Sequence, residues 1–351
     1  VVRRGAGCCG DGCRHPGPRR IGCGGRSLMA TILVTSRSFS DGALDLVGRA
    51  RAAGHEIVRG PSHHDLDELR PLLAVADAWI AGTGPVTAAH LDAAAHLQIV
   101  ARYGVGYEGV DRAAAAARGI PVTNTPGANS DAVADHAVAL MLAALRTVVD
   151  GDRRVRGGDW SVRRGRELGA ATIGIVGFGR IGQGVAKRLS GFGCRILASD
   201  PYLPDESIEG AGAEPAALDE LFRSADVITL HAPGGQRLVD DARLAGIRPG
   251  TVLVNTARPD LVDETAVAEA LRSGALDAYA ADTLDGDTAA GASPLLDPAL
   301  ADRVIVTPHL AAQTTQAVDN MGRMSLDDVI AVLRGAAPAH PVTPPSAEEP
   351  A

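Results

Sequence analysis

The sequence predicts an α/β fold built from two parallel-sheet domains with a cleft between them. Three observations lead there. Short apolar runs alternate with helix-patterned stretches along most of the chain, the pattern of parallel strands joined by helical crossovers. A glycine-rich turn at 177–182 stands between a strand-like run and a helical one. The alternation also begins long before that turn and continues after it, so the 351 residues hold more than one such unit.

The glycine turn organises the second unit. Thr172, Ile173, Ile175 and Val176 read as a buried strand that runs into Gly177-Phe178-Gly179-Arg180-Ile181-Gly182. A helical pattern over 181–189 follows, then a short strand over 195–198 and an acid, Asp200. Strand, glycine turn, helix, strand and acid is the order of a Rossmann-like dinucleotide site. Gly177 permits the tight turn, Gly179 lets the backbone approach a pyrophosphate, and Gly182 lets helix and sheet pack closely. Arg180 and Ile181 open the helix, whose unpaired N–H groups and partial positive charge suit phosphates. Asp200 suits the ribose hydroxyls. Residues 201–208 contain no Arg or Lys, which favours NAD over NADP. A carboxylate there also fits a turn cap before Pro201.

Composition narrows the partners. The chain is 46% hydrophobic and 22% charged with a formal net charge of −8, and residues 1–28 carry six of its arginines and one aspartate. The remainder is therefore more acidic still, which argues against nucleic acid. No apolar run approaches the roughly 20 residues of a membrane helix; the longest spans 137–145. Residues 1–28 hold Cys8, Cys9, Cys13 and Cys23 without hydrophobic periodicity, metal-ligand spacing or an apolar signal core. They read as a disordered leader with no metal site, the folded part starting near Met29. Cys194, alone beyond the leader, fits a reducing cytoplasm.

In chain order, strands are expected over 31–35, 55–58, 78–81, 99–101 and 122–124. Helices are expected over 41–53, 66–74, 91–95 and 111–118, and a long alanine-rich helix over 130–146 with Ser130 as its N-cap. Residues 153–169 read as polar and irregular. After Asp200 come helices over 218–222 and 264–273, strands over 227–230, 251–255, 279–281 and 304–306, and a closing helix over 316–333. From Ala336 the Pro-, Ala- and Glu-rich tail reads as disordered.

Three stretches follow predicted strands, where open parallel sheets place ligands: Asn255-Thr256-Ala257-Arg258, Asp282-Thr283-Leu284-Asp285-Gly286-Asp287 and Thr307-Pro308-His309. Reduction of a 2-keto acid beside a nicotinamide needs a cation, a proton donor and a carboxylate partner for that donor. Arg258 offers a permanently charged planar fork. His309 titrates in the right range, and Asp287 suits the carboxylate, since a negative neighbour raises a histidine pKa. Asp285 offers the same chemistry as Asp287. His136, inside the long helix, reads as packed or interfacial.

With these residues in place, the chain resembles the D-isomer-specific 2-hydroxyacid dehydrogenases, most closely their phosphoglycerate dehydrogenase-like members. RYGVGYEGVD at 102–111, TNTPGANSDAVADHAVALML at 123–142, GFGRIG, LVNTARPDLVDETAV at 253–267 and TPHLAAQT at 307–314 carry the resemblance, which covers about 31–333. It implies NAD-dependent interconversion of a D-2-hydroxy acid and its 2-keto acid, with Arg258, His309 and Asp287 catalytic. The backbone at Val105 and Gly106, with Gly82 and Thr83, would hold the substrate alongside Arg258. His231, Ala232 and Pro233 would line the adenosine side, with Ala257 and Asp282 by the nicotinamide. A homodimer through residues 130–169, including Trp160, is implied as well.

Three positions depart from the family. Asp287 replaces glutamate and is followed by Thr288, Pro259 replaces glycine after the arginine, and Ala81-Gly82-Thr83-Gly84 lacks the arginine that phosphoglycerate dehydrogenases often carry there. The expected organisation is a substrate domain over 30–105 and 312–335 and a cofactor domain over 106–311, with hinges near Tyr107 and Ala311. A non-catalytic NAD(H)-sensing protein of the same fold is the alternative.

Overall fold

The computed structural model describes residues 29–286 and 293–342. The expectations for residues 1–28, for Asp287 and for the tail beyond 342 lie outside them.

The first unit alternates β1 (Thr31–Val34), α1 (Leu46–Ala52), β2 (Glu56–Arg59), α2 (Leu66–Leu73), β3 (Ala78–Ala81), α3 (Ala88–Ala93), β4 (Val100–Arg102), α4 (Arg112–Ala117) and β5 (Val122–Thr123). Its sheet has the order β2-β1-β3-β4-β5, every pair parallel. The first helix begins later than residue 41 because Ala43 and Leu44 give their N–H groups to Asp319, and Asp45 caps the helix at Gly48 N.

The chain then enters α5 (Ser130–Leu145) and α6 (Val148–Arg156), followed by β6 (Thr172–Val176), α7 (Arg180–Leu189), β7 (Arg195–Ser199), α8 (Asp205–Gly210), β8 (Glu214–Pro215), α9 (Leu218–Ser224), β9 (Val227–Leu230), α10 (Asp241–Leu244), β10 (Thr251–Asn255), α11 (Glu264–Ser273), β11 (Leu276–Ala281) and β12 (Val304–Val306). Their sheet runs β12-β11-β10-β9-β6-β7-β8, again all parallel. Strands β6, β9 and β10 are buried nearly throughout, as expected of strands covered on both faces by helices. Finally α12 (Thr315–Leu333) returns to the first unit, where Met321, Leu326 and Val329 join the core of Ile32, Ile80 and Ile99.

Four expectations need correction. The first unit extends past residue 105, since β5 pairs with β4. The crossing therefore falls between Thr123 and Ser130, and Tyr107 lies within a loop of the first unit rather than at a hinge. A two-residue strand carries no periodicity that says which sheet it joins. Residues 153–156 are helical rather than irregular: buried Asp150 collects Arg153, Arg154 and, from the following loop, Arg163. Ser130 is the first helical residue, with Asn129 at the cap position.

The tail is ordered as far as Val342. Asp328 is 1% exposed and needs partners for its carboxylate, which Ala339 N (2.8 Å) and His340 Nδ1 (3.2 Å) supply. Val342 N then donates to Val122 O at 2.8 Å, and Pro341 bridges Thr123 on the open edge of β5. Composition predicted a solvated tail; a buried acid and an unpaired strand edge hold it instead. Asp328→Ala is expected to lower stability by about 1–3 kcal/mol, read from urea unfolding, and to release residues 339–342 to fast amide exchange.

Candidate functional site

Each sheet grows in two directions from its first strand, which leaves a crevice at the carboxyl ends of the two strands where growth reverses. In the second unit these are β6 and β9. Gly177 stands there at φ +85°, and a Cβ on it would lie 2.7 Å from Ala232 N across the crevice. A Cβ on Gly182 would lie 2.3 Å from Gly177 O, whereas Gly179 faces open space. The three glycines thus do what their order predicts: a left-handed turn, an open approach, and close helix packing.

The loops enclose a cavity of about 540 Å³ lined by Gly177, Asp200, Tyr202, Ala232, Pro233 and neighbours. Asp200 is held at its rim by Phe178 N (2.8 Å) on one oxygen and Tyr202 N (2.9 Å) on the other, so it caps a turn and faces the cavity as well. His231 does not line this cavity. Two residues beyond Thr229 on the same strand direction, it shares that residue's face and places Nε2 2.9 Å from Thr229 Oγ1. Burial pushes its pKa down to about 3, and its Nδ1 is buried without a partner among the described residues. An open glycine cradle and an acid at the rim fit a dinucleotide.

In the first unit the reversal lies between β1 and β3. Thr35 Oγ1 accepts from Trp79 Nε1 (3.0 Å) and Gly82 N (3.1 Å), so its own proton goes to His64 Nε2 at 2.6 Å. His64 therefore carries its proton on Nδ1 and donates to Pro85 O (2.9 Å), while His90 Nε2 donates to His64 O (2.9 Å). This network pins the loop of Gly82 and Thr83 at both ends. Desolvation lowers the His64 pKa to about 4. Buried Arg102 ties the same loop to the next one, with Nη1 2.9 Å from Gly84 O and Nε 3.2 Å from Gly106 O.

Arg258 meets that second loop. A Cβ on Gly106 would lie 2.5 Å from Arg258 Nη2, which is 3.2 Å from Glu108 Oε1. Fully buried Asn255 sets the arginine's backbone, accepting from Ala257 N (3.0 Å) and donating to Arg258 O (2.8 Å). Arg258 is extended (φ −139°, ψ 143°), the conformation a following proline favours, and Pro259 begins a 3₁₀ turn where no N–H is required. The departure at Pro259 is therefore compatible with the loop.

Asp282 and His309 follow the adjacent strands β11 and β12. Asp282, 2% exposed, accepts from Leu310 N (2.9 Å), Ala311 N (2.8 Å) and Thr307 Oγ1. Burial alone would raise its pKa; the hydrogen bonds from Thr307 and the two amides, with His136 Nε2 3.6 Å away, outweigh it and hold the carboxyl below its usual range. Placed by the resemblance beside the nicotinamide, Asp282 spends its carboxylate on the loop that bears His309. Asp285, exposed, gives its N–H to buried Glu264 at 2.7 Å.

Known proteins share this fold. Residues 138–311 match the D-isomer specific 2-hydroxyacid dehydrogenase, NAD binding domain. A glyoxylate reductase of Korarchaeum cryptofilum is 36% identical over 265 residues, covering 73% of this chain and 79% of the relative. The chain belongs to the D-isomer-specific 2-hydroxyacid dehydrogenase family. A D-3-phosphoglycerate dehydrogenase of Archaeoglobus fulgidus is 34% identical over 321 residues, 90% of this chain but only 60% of the relative, so this chain spans less than two thirds of that protein's length. Among solved structures, a Thermus thermophilus protein superposes with a TM-score of 0.78 at 34% identity, covering 89% of this chain and all of that one. NAD is the cofactor of this dehydrogenase-family chain.

Sequence reading of this family member missed Thr35, His64, His90, Arg102, Asn255 and Glu264 as supports. Arg102, Asn255 and Glu264 stood inside the motifs that carry the family resemblance; Thr35, His64 and His90 carried no signal. His64 and His231 stay neutral below the 6.5 of an exposed imidazole. As pH falls under 6.5 the unfolded chain takes up protons that the native chain refuses, so stability declines toward pH 4 and is flat above 6.5 with respect to these groups. Urea midpoints on either side of pH 6.5 check the sign. Pro259→Gly is expected to cost about 1 kcal/mol by loosening the unfolded chain, measured by the same titration.

Proposed function

We propose that the protein is an NAD-dependent oxidoreductase, acting on a CH–OH donor, that interconverts a small D-2-hydroxy acid and its 2-keto acid. The observation that carries this reading is the Arg258 guanidinium set against Gly106, on the loop whose Val105 and Gly106 backbone suits a carboxylate. His309 supports it from the same carboxyl edge of the sheet. Bound NADH would supply the hydride. Gly177, Gly179, Arg180, Ile181 and Gly182 would hold its pyrophosphate, and Asp200 its adenosine ribose. Ala257 would meet the nicotinamide end through its backbone, with Asp282 beside the carboxamide.

In keto-acid reduction, Arg258 holds the substrate carboxylate and polarises the carbonyl, exchanging Glu108 for the substrate. His309 gives its ring proton to the forming alkoxide, the acid–base role that the resemblance assigns to it together with Asp287. Closure of the two units over the cleft, flexing at 124–129 and near Ala311, excludes water.

The relatives divide between D-3-phosphoglycerate dehydrogenases and glyoxylate reductases. The Gly82–Gly84 loop has no basic side chain, Arg102 is committed to backbone carbonyls, and Glu108 adds negative charge beside Arg258. These features favour a compact acid with one negative charge over a phosphorylated one. The reading includes a homodimer through residues 130–169 in a reducing cytoplasm. Trp160 and Val162, 78% and 93% exposed, support that surface, and sedimentation tests it.

NADH oxidation with glyoxylate, hydroxypyruvate and phosphonooxypyruvate tests the activity. Turnover is expected with the unphosphorylated acids and a loss of about 10²-fold or more in His309→Gln. Glu108→Gln should raise the relative kcat/KM of the phosphorylated acid. NADH binding without turnover of any acid would sink this reading in favour of an NAD(H)-sensing module.

A further inference from the structure

The helix that leaves the first unit and the loop that returns to it meet at one side chain. Helix α5 begins in the first core, where Ala132 packs, and from Ala134 onward lies in the second. His136 stands at that passage. Its Nε2 is 3.0 Å from Thr307 Oγ1 and 3.6 Å from Asp282 Oδ1, and the side chain is 16% exposed. Thr307 has one proton, and its short bond to Asp282 Oδ1 takes it. Thr307 must therefore accept from His136, which fixes the His136 proton on Nε2. Donors run in one direction, from His136 to Thr307 to Asp282.

The same carboxylate gathers Leu310 N and Ala311 N. The segment from Thr307 to Ala311 is thus clamped at both ends on Asp282, and at its apex His309 is held at φ +53°, in the left-handed region. Such a conformation is strained in a residue with a β-carbon and persists only where the surroundings impose it. Between the clamp and the helix stands His136, and through Thr307 it determines which rotamer the hydroxyl adopts.

We propose that His136 is a positioning residue for the acid–base loop: its Nε2–H orients Thr307, which completes the Asp282 clamp and thereby sets the ring of His309. This rests on His309 being the acid–base group, yet the test separates the two claims. Protein labelled with ¹³C at histidine reports the His309 ring signal, assigned by its loss in His309→Gln. The signal is expected to move in His136→Phe and Thr307→Val, and to hold its place in His136→Gln, whose amide retains a donor.

With glyoxylate and NADH, kcat should fall about tenfold in His136→Phe and Thr307→Val, within the range seen for small misplacements of a reacting group. KM and NADH affinity should stay near wild type, and His136→Gln should recover kcat. An unmoved His309 signal in both disruptive variants, whatever their melting temperatures, overturns the proposal. If His136→Phe does not fold, Thr307→Val, which keeps the side-chain shape, decides the matter. If the wild type turns over no keto acid, the functional reading fails, and the ring signal still decides the positioning.

Discussion

Both units are parallel sheets that extend in two directions from their first strand, and this single constraint places everything else. Loops at the carboxyl ends of diverging strands have no neighbour strand between them, so a crevice forms without any residue being spent to make it. In the second unit Gly177 and Ala232 close on each other across that crevice; in the first, Gly82 and Thr35 do the same. The dinucleotide cradle and the proposed substrate loop are the same topological event in two sheets.

A crevice alone would leave its loops loose. Each is tightened by one buried polar group whose hydrogen-bonding capacity must be satisfied inside the protein. Thr35 holds the Gly82 loop, Asn255 the Arg258 loop, and Asp282 the His309 loop; Arg102 ties two of the first unit's loops together. Because an unsatisfied buried acceptor costs more than an average hydrogen bond contributes, these hubs determine loop shape more firmly than apolar packing does. Asp282 is the extreme case, an ionised group with 2% exposure surrounded by donors.

The departures from family pattern fall into this scheme in different ways. Pro259 occupies a position where its missing N–H and restricted predecessor match the local geometry, so the substitution stiffens rather than distorts the arginine's support. The missing arginine in the Gly82 loop is not replaced by Arg102, whose charge is turned onto carbonyl oxygens. Glu108 instead brings a carboxylate to the same corner, where it pairs with Arg258.

Taken by itself, the sequence determined the fold class, most strands and helices, the glycine cradle, Asp200 and the strand ends that bear Arg258 and His309. These follow from local pattern: periodicity, turn chemistry and the order of short motifs, all readable within a few residues. It misjudged where the chain crosses between units, because β5 is too short to show its partner, and it read an ordered tail as solvated. It read His136 as packed or interfacial without showing its partner Thr307, and it gave no hint of the His64–Thr35–Trp79 network. Only the tertiary structure decided those, since each depends on residues brought together from separate parts of the chain: His136 with Thr307, Val122 with Val342, Thr35 with His64. A hydrogen bond across such a separation leaves no periodicity in sequence, only a buried polar atom whose partner the fold must supply.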